Sequence, residues 1–397
     1  MHKIPRTLII SDGVPPFVGG SPTLMYNLLT ELDLSESTLV SQSKEGFSAS
    51  IGAGYDPTVA IDIERHEVKG IHSIFARGSS YGLPSLALML MVRKIVWVAK
   101  AVAKKQRPEV IFATWPSNAF AAAGYYAAKS LGIPMVFYLH DLWEETQRTA
   151  ITKWISRRLE PKIFKGAEEL LSITDPTTTY LNEKYGALES TVLEHSVNSS
   201  LWDLSARTDR STEHPKKFLM LGSVNKFNSD SVVVFSKALA QHEDVNLHIL
   251  TGQSRETLAG IGLDVSKVTS GFVSRDDLQE TILSADVLYL ALGFDTQVQK
   301  EVAVVIPTRL MDYLPTGIPI IAHGPANVWT LQEAKNKQWG FCINCVEEQE
   351  VKAKLNHFME MKDYSEIVQG AWDEANRRSN KKQSEILAKA LRRAAGQ

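Results

Sequence analysis

Two cysteines in 397 residues exclude a disulfide framework and leave little for a cysteine-rich metal knuckle. They stand as a CxxC, Cys342–Cys345 in "GFCINC". A structural zinc needs two more ligands in a matching knuckle, and the sequence offers none, so the pair reads as small apolar residues on a buried strand. Long apolar runs are missing as well. "LALMLMV" at 86–92 falls well short of the ~18 apolar residues of a membrane span. Met1–Arg6 is polar and basic, and the apolar run Leu8–Ile10 is too short for a secretion signal. The expectation is a cytoplasmic protein. There is no charge excess either: a formal net charge of −2 excludes nucleic acid as the main partner, because phosphate backbones select a strong basic surplus. Short-period repeats and low-complexity tracts are absent.

What is present is enough apolar material for sizeable cores, 44% hydrophobic residues over a length that suggests two domains. The first half alternates apolar runs with amphipathic stretches. "RTLIIS" (6–11), "EVIFAT" (109–114), "PMVFYLH" (134–140), "ELLSIT" (169–174) and "STVLEH" (190–195) read as strands. "SPTLMYNLLTEL" and "SNAFAAAGYYAAKSLG" read as helices, the second ended by Gly132. After a polar stretch at 198–217 the pattern restarts with "KFLMLGS" (217–223), "VNLHILTG" (245–252), "VTSGFV" (268–273), "ADVLYLAL" (285–292) and "IPIIAHG" (318–324). This is the signature of two doubly wound parallel sheets in tandem, an α/β protein. The tail from Arg377 is a basic amphipathic helix with Ile386, Leu387, Ala390, Leu391 and Ala394 on one face.

Ligands of open parallel sheets bind beyond the carboxyl ends of strands, so candidates should follow a strand directly. Two motifs fail that filter. "GSSYG" (78–82) has the spacing of a nucleophile elbow around Ser80, but a weak strand precedes it and Pro84 delays the helix. "GAGYDP" (52–57) lacks the third glycine and the following helix of a dinucleotide fingerprint.

Four stretches pass. In "SDGVPPFVGGSPTL" (11–24), Gly19 and Gly20 leave bare backbone before a helix N-terminus, which favours an anion. "YLHDLWEE" (138–145) places His140 at a strand's carboxyl end, able to hydrogen-bond a sugar hydroxyl, with Asp141 as a natural N-cap. "LGSVNKFNSDS" (221–231) offers Ser223 and Lys226 to a diphosphate, with a plain solvated lysine as the competing account. In "IPTRLMDYLPTGIPIIAHGP" (306–325), Pro307 and Thr308 start a short helix with Thr308 as its cap. Arg309 adds positive charge in its first turn. Asp312 can accept two hydrogen bonds at once, as the vicinal hydroxyls of a ribose require. The pair can also bridge each other at i, i+3. Apolar Leu310, Met311 and Leu314 demand burial and confine both charges to a cleft rim.

These four sites, in this order, resemble the retaining glycosyltransferases of family 4, which have the GT-B fold. "PTRLMDYLPTGIPII" looks like that family's Pro-Ser-Lys-x-x-Glu-Tyr-Leu-Ala-x-Gly-x-Pro segment. "HDLW" is similar to a segment of members that build bacterial cell-surface polysaccharides, and "PPFVGGSP" looks like the acceptor-side Gly-Gly loop. The resemblance implies an acceptor-binding Rossmann-like domain over 1–197 and a nucleotide-sugar-binding one over 198–375. It also implies a final helix, 376–397, returning to the first. It implies that Asp312 binds the ribose, that Lys226 and Arg309 neutralise the diphosphate with Ser223 and Thr308 beside them, and that Gly271, Phe272 and Val273 edge the base. His140 then touches the transferred sugar, and Gly19 and Gly20 lie near the phosphates and acceptor. No cofactor or metal is expected; a nucleoside diphosphate sugar and a glycan or lipid-linked acceptor are the substrates.

The sequence departs from the family pattern at named places. Val304 stands eight residues before Asp312, where the family has an acid, and Glu301 or Asp295 are the nearby substitutes. Asp312 replaces a glutamate, Pro315 a small residue, and no arginine precedes Lys226 by two places. Two alternatives therefore stay open: a sugar-nucleotide epimerase, or a non-catalytic partner of a glycosyltransferase. Two basic amphipathic segments, 93–107 with six cations and no acid and 153–165 with five cations and one acid, are candidates for resting on an anionic membrane surface, or are solvated helix faces.

Overall fold

The computed structural model describes the chain except residues 44–53, 56–59, 72, 75–82, 148, 206, 213, 243, 274, 296–298 and 305. Ser80 and most of "GAGYDP" lie outside the described residues. The chain divides into two compact units, Met1–Ser196 with Asn380–Gln397, and Val197–Ser379.

The first unit is built on a seven-stranded sheet: β1 (Thr7–Ile10), β2 (Thr38–Gln42), β3 (Glu64–Val68), β4 (Val110–Trp115), β5 (Met135–Leu139), β6 (Glu169–Ser172) and β7 (Ser190–Val192). Their order is β7-β6-β5-β4-β1-β2-β3, all parallel. The central strands β4 (VIFATW) and β5 (MVFYL) are buried at every position, as strands covered on both faces must be. The edge strand β3 (ERHEV) is largely polar, with Glu64 and Glu67 exposed, which discourages pairing with another chain. Between strands, Ser117 caps the helix Asn118–Leu131, and Gly132 ends it in the left-handed region at φ 66°.

The second unit has six parallel strands: β8 (Lys217–Leu221), β9 (Asn246–Leu250), β10 (Val268–Gly271), β11 (Val287–Ala291), β12 (Ile320–His323) and β13 (Phe341–Ile343), ordered β10-β9-β8-β11-β12-β13. Apolar clusters fill both of its faces, one around Leu219, Leu288 and Ile320, the other around Phe218, Tyr289 and Phe235. Cys342 lies in β13 with Cys345 just beyond it, both half-buried free thiols.

In each sheet the strand order reverses beside the first strand, between β1 and β4 and between β8 and β11. Such a switch point splays the following loops apart and opens a crevice at the carboxyl ends.

The last helix, Asn380–Ala394, belongs to the first unit and buries Leu387, Ala388, Ala390, Leu391 and Ala394; Ile386 is only half-buried. Ser384 Oγ donates to Leu28 O at 2.7 Å, Arg392 to Lys3 O at 2.7 Å, and Arg393 to Glu169 Oε1 at 2.6 Å. It is separate from the helix Ser365–Arg377, so the helical tail starts at Asn380 rather than as one piece from Arg377.

Candidate functional site

In the second unit the loops at the switch point are stapled to one another. Gly293 N donates to Phe227 O at 2.6 Å, Phe294 N to Asp230 Oδ2 at 2.6 Å, and Ser231 Oγ to Leu292 O at 2.5 Å. Gln253, after β9, clasps Val224 from both sides: its Oε1 accepts from Val224 N at 2.7 Å and its Nε2 donates to Val224 O at 3.0 Å. A rigid rim results, and the polar candidates stand on it.

Arg309 reaches that rim from the far end of the sequence. Its Nη1 donates to Leu221 O at 2.6 Å, and its guanidinium lies against Gly222, where a Cβ would sit 3.6 Å from Arg309 Cζ. Gly222 has φ 89°, in the left-handed region, so glycine suits this bend on backbone grounds. The residue as a whole is half-buried, but the guanidinium is enclosed, and burial draws its pKa below the ordinary arginine value. Among the described residues no carboxylate lies within ion-pair distance of it. An enclosed cation with no acid partner is a receptor for a bound anion.

Ser223, Lys226 and Thr308 are exposed on the same unit, and Lys226 Nζ sits 4.7 Å from the Phe227 ring centroid. Asp312 is half-buried within the short helix Leu310–Tyr313, whose apolar residues Leu310, Met311 and Tyr313 are buried. The cap expectation is corrected here. Arg309, not Thr308, occupies the N-cap position, and no side chain caps the helix. The turn instead closes through backbone bonds, Leu310 N to Pro307 O at 3.0 Å and Met311 N to Thr308 O at 3.0 Å. Gly317 follows at φ 75°, and a Cβ there would stand 2.1 Å from Thr208 O. At the end of β10, Gly271 O accepts from Thr251 N at 2.7 Å, Phe272 is 81% exposed, and Val273 packs on the core.

In the first unit, Ser21 and His140 come together: Ser21 Oγ and His140 Nδ1 share a hydrogen bond of 2.6 Å. Gly19 is the N-cap of the helix Gly20–Leu29, so the Gly-Gly loop and the residue after β5 form one cluster. His140 is 4% exposed, and its Nε2 is buried with no hydrogen-bond partner among the described residues. Burial, with His195 adding repulsion, lowers its pKa to about 3, so the imidazole is neutral at physiological pH. The N-cap expectation for Asp141 is corrected: Leu142 holds that position before the helix Trp143–Thr146, and it caps with no side chain.

Asp12 and Ser117 were not expected from the sequence. They meet at the switch point, where Ser117 hydrogen-bonds the Asp12 carboxyl, and burial raises Asp12 to about pKa 6. Asp12 Oδ1 is buried and without a hydrogen-bond partner among the described residues. Position alone could have flagged both, since each follows a strand directly; "SDG" and "PSN" instead read as ordinary turn and cap residues. Gln253 and Asp230 were missed for the same reason.

Comparison with known proteins bears on these units. Residues 18–200 match the family model described as Glycosyltransferase Family 4. No curated protein matches the sequence. Among solved structures, a glycosyltransferase from Rickettsia africae superposes with TM-score 0.65 at 13% identity, covering 99% of this chain and 98% of its own. Anabaena HepE in complex with UDP gives 0.66 at 15%, covering 98% and 99%. A UDP-forming α,α-trehalose-phosphate synthase from Burkholderia vietnamiensis gives 0.67 at 10%, covering 99% and 100%. At these identities the likeness is one of fold. Residues 18–200 therefore match glycosyltransferase family 4, in a chain whose two parallel-sheet units have the fold of GT-B structures.

Proposed function

We propose that the chain transfers a sugar from a nucleoside diphosphate sugar to a hydroxyl of a glycan or lipid-linked acceptor, with retention at the anomeric carbon, in cell-surface polysaccharide synthesis. The enclosed Arg309 guanidinium, set against the bare backbone of Gly222 and, among the described residues, without an acid partner, carries this reading. The diphosphate lies there, with Lys226, Ser223 and Thr308 adding donors and Asp312 accepting from the ribose hydroxyls. The base lies along Gly271, Phe272 and Val273. UDP is the first nucleotide to test, because the Anabaena neighbour was crystallised with it.

In the first unit, Gly19, Gly20, Ser21 and His140 hold hydroxyls of the sugar and acceptor, the neutral imidazole serving as hydrogen-bond partner rather than as a cation. The bond from the anomeric carbon to the diphosphate oxygen breaks as the bond to the acceptor oxygen forms. The acceptor's proton passes to the leaving phosphate on the same face, so no separate strong base is required. Arg309 and Lys226 stabilise the charge that develops on that phosphate, the preorganised electrostatics that supplies much of catalysis.

Thermal unfolding with UDP, GDP, ADP and TDP tests the reading on the native sequence and on Asp312→Ala. A nucleotide at ~100 times its dissociation constant stabilises the fold by about 2.7 kcal/mol. One diphosphate should raise the melting temperature of the native protein and not of the variant. No shift with any of the four would sink the donor reading and favour the non-catalytic partner.

A further inference from the structure

One face of the first unit is apolar where water ordinarily selects polar residues. The helices Pro84–Gln106, Asn118–Leu131 and Ala150–Gly166 enclose a groove of about 620 Å³. Leu88, Val92, Val96 and Leu159 form its walls. Met89, Trp97 and Trp154 line it as well, yet are 50%, 71% and 50% exposed. Two tryptophans and a methionine left open together mark a surface that something apolar covers.

The charges around the groove say what. Its lining contains three cations, Arg93, Lys100 and Arg158, and no carboxylate. Arg158 lies over the Trp154 ring, 4.3 Å from its centroid. The helix Ala150–Gly166 has a single acid, Glu160, and that acid is turned inward: it is 1% exposed and accepts from Lys184 Nζ and from the Tyr185 hydroxyl. The outward face of that helix is therefore wholly cationic among its charged residues. An occupant must be apolar where it fills the groove and anionic where it meets these cations. A groove between helices can take a flexible chain, while tryptophans beside cations are the residues that sit at a membrane's polar boundary.

We propose that this groove receives one hydrocarbon chain of an anionic phospholipid in a bilayer, with Arg93, Lys100 and Arg158 facing the anionic headgroups. The inference extends the proposed reading of a lipid-linked acceptor, and its test is independent of sugar transfer.

The full chain is sedimented with phosphatidylcholine vesicles, with or without phosphatidylglycerol, and its tryptophan fluorescence is followed with phosphatidylglycerol brominated in its acyl chains. The expected result is partition into the anionic vesicles only, with quenching that largely disappears in Trp97→Phe/Trp154→Phe. Arg93→Gln/Lys100→Gln/Arg158→Gln should lower partition roughly 100-fold, at about 1 kcal/mol per cation near the surface. Met89→Asp, at an exposed position, should lower it about tenfold by placing a charge among the apolar walls. Equal partition into both vesicles, absence of quenching, or indifference to Met89→Asp would overturn the proposal. So would a concentration-dependent dimer that Trp97→Ala abolishes, since a second copy would then be the cover. The UDP melting shift, measured on the native protein beside its vesicle binding, separates the two readings. No partition into anionic vesicles with the shift intact removes only the groove; vesicle binding without any shift removes only the nucleotide-sugar donor.

Discussion

Ser21 Oγ and His140 Nδ1 lie 2.6 Å apart although 119 residues of chain separate them. The contact joins the loop after β1 to the loop after β5 and leaves His140 Nε2 as the polar atom of the pair still without a protein partner. Removing Ser21's hydroxyl strands the other nitrogen too. Ser21→Ala should cost about 1–3 kcal/mol in urea unfolding, the penalty of a buried polar group left unmade. A cost near zero would mean that water reaches the imidazole.

His140 should also shape the acid limb of stability. Its pKa falls from the ordinary 6.5 to about 3 in the folded protein, so the unfolded chain takes up the proton first as pH drops. The stabilisation is complete above the unfolded value and is lost on acidification between the two, by at most about 1.4 kcal/mol per pH unit. A carbon-resolved NMR titration should show the His140 ring signals unmoved from about pH 8 to pH 5. Movement near pH 6.5 would contradict the enclosure.

Asp12 runs the other way. Burial raises its pKa from 3.8 to about 6, so below the unfolded value both states carry the proton and nothing is lost. The charged form becomes a liability as pH rises through the folded value. Asp12→Asn should therefore stabilise the protein by about 1–2 kcal/mol at neutral pH, discounting for its part-exposed surface, and by nothing in the acid range. A gain that persists at low pH would have another origin.

Arg309→Lys keeps the charge but loses the planar fork beside Gly222. It should weaken UDP binding about tenfold by calorimetry, whereas Lys226→Ala, at an exposed position, should weaken it by a few-fold and mainly at low salt. Equal effects would place the diphosphate elsewhere on the rim.

Lys184 holds three glutamates in the first unit: Nζ lies 3.0 Å from Glu144, 2.8 Å from Glu145 and 3.2 Å from Glu160. Lys184→Met would leave those half-enclosed acids facing one another and should cost about 3–5 kcal/mol, the usual result of deleting one partner of a buried pair. A loss below 1 kcal/mol would mean that Arg157, paired with Glu144, takes over.

Most of this fold is legible because parallel strands covered on both faces leave runs such as "VIFATW" and "MVFYL" in the sequence. β2 and β3 are not legible: "TLVSQ" buries a threonine, a serine and a glutamine, and "ERHEV" is an edge. The candidate site divides on similar lines. Residues standing just after a strand can be found by position, as His140 and Ser223 were. Which of them touch cannot: spacing does not reveal that Arg309 bonds Leu221, 88 residues earlier. The helix caps expected at Asp141 and Thr308 failed because a one-turn helix can close through backbone bonds alone and needs no side-chain oxygen.

The final helix has a consequence for how the protein is made. Residues 380–397 belong to the first unit, yet they leave the ribosome only after the whole of the second. Until then the seat that Leu387 and Leu391 fill stays open, and Leu28 O waits for Ser384. The second unit, encoded between the two parts of the first, can finish folding before the first is complete. A fragment ending at Ser196 would thus be an unfinished body with an uncovered apolar seat, and the peptide 380–397 supplied separately is the piece that should render it soluble.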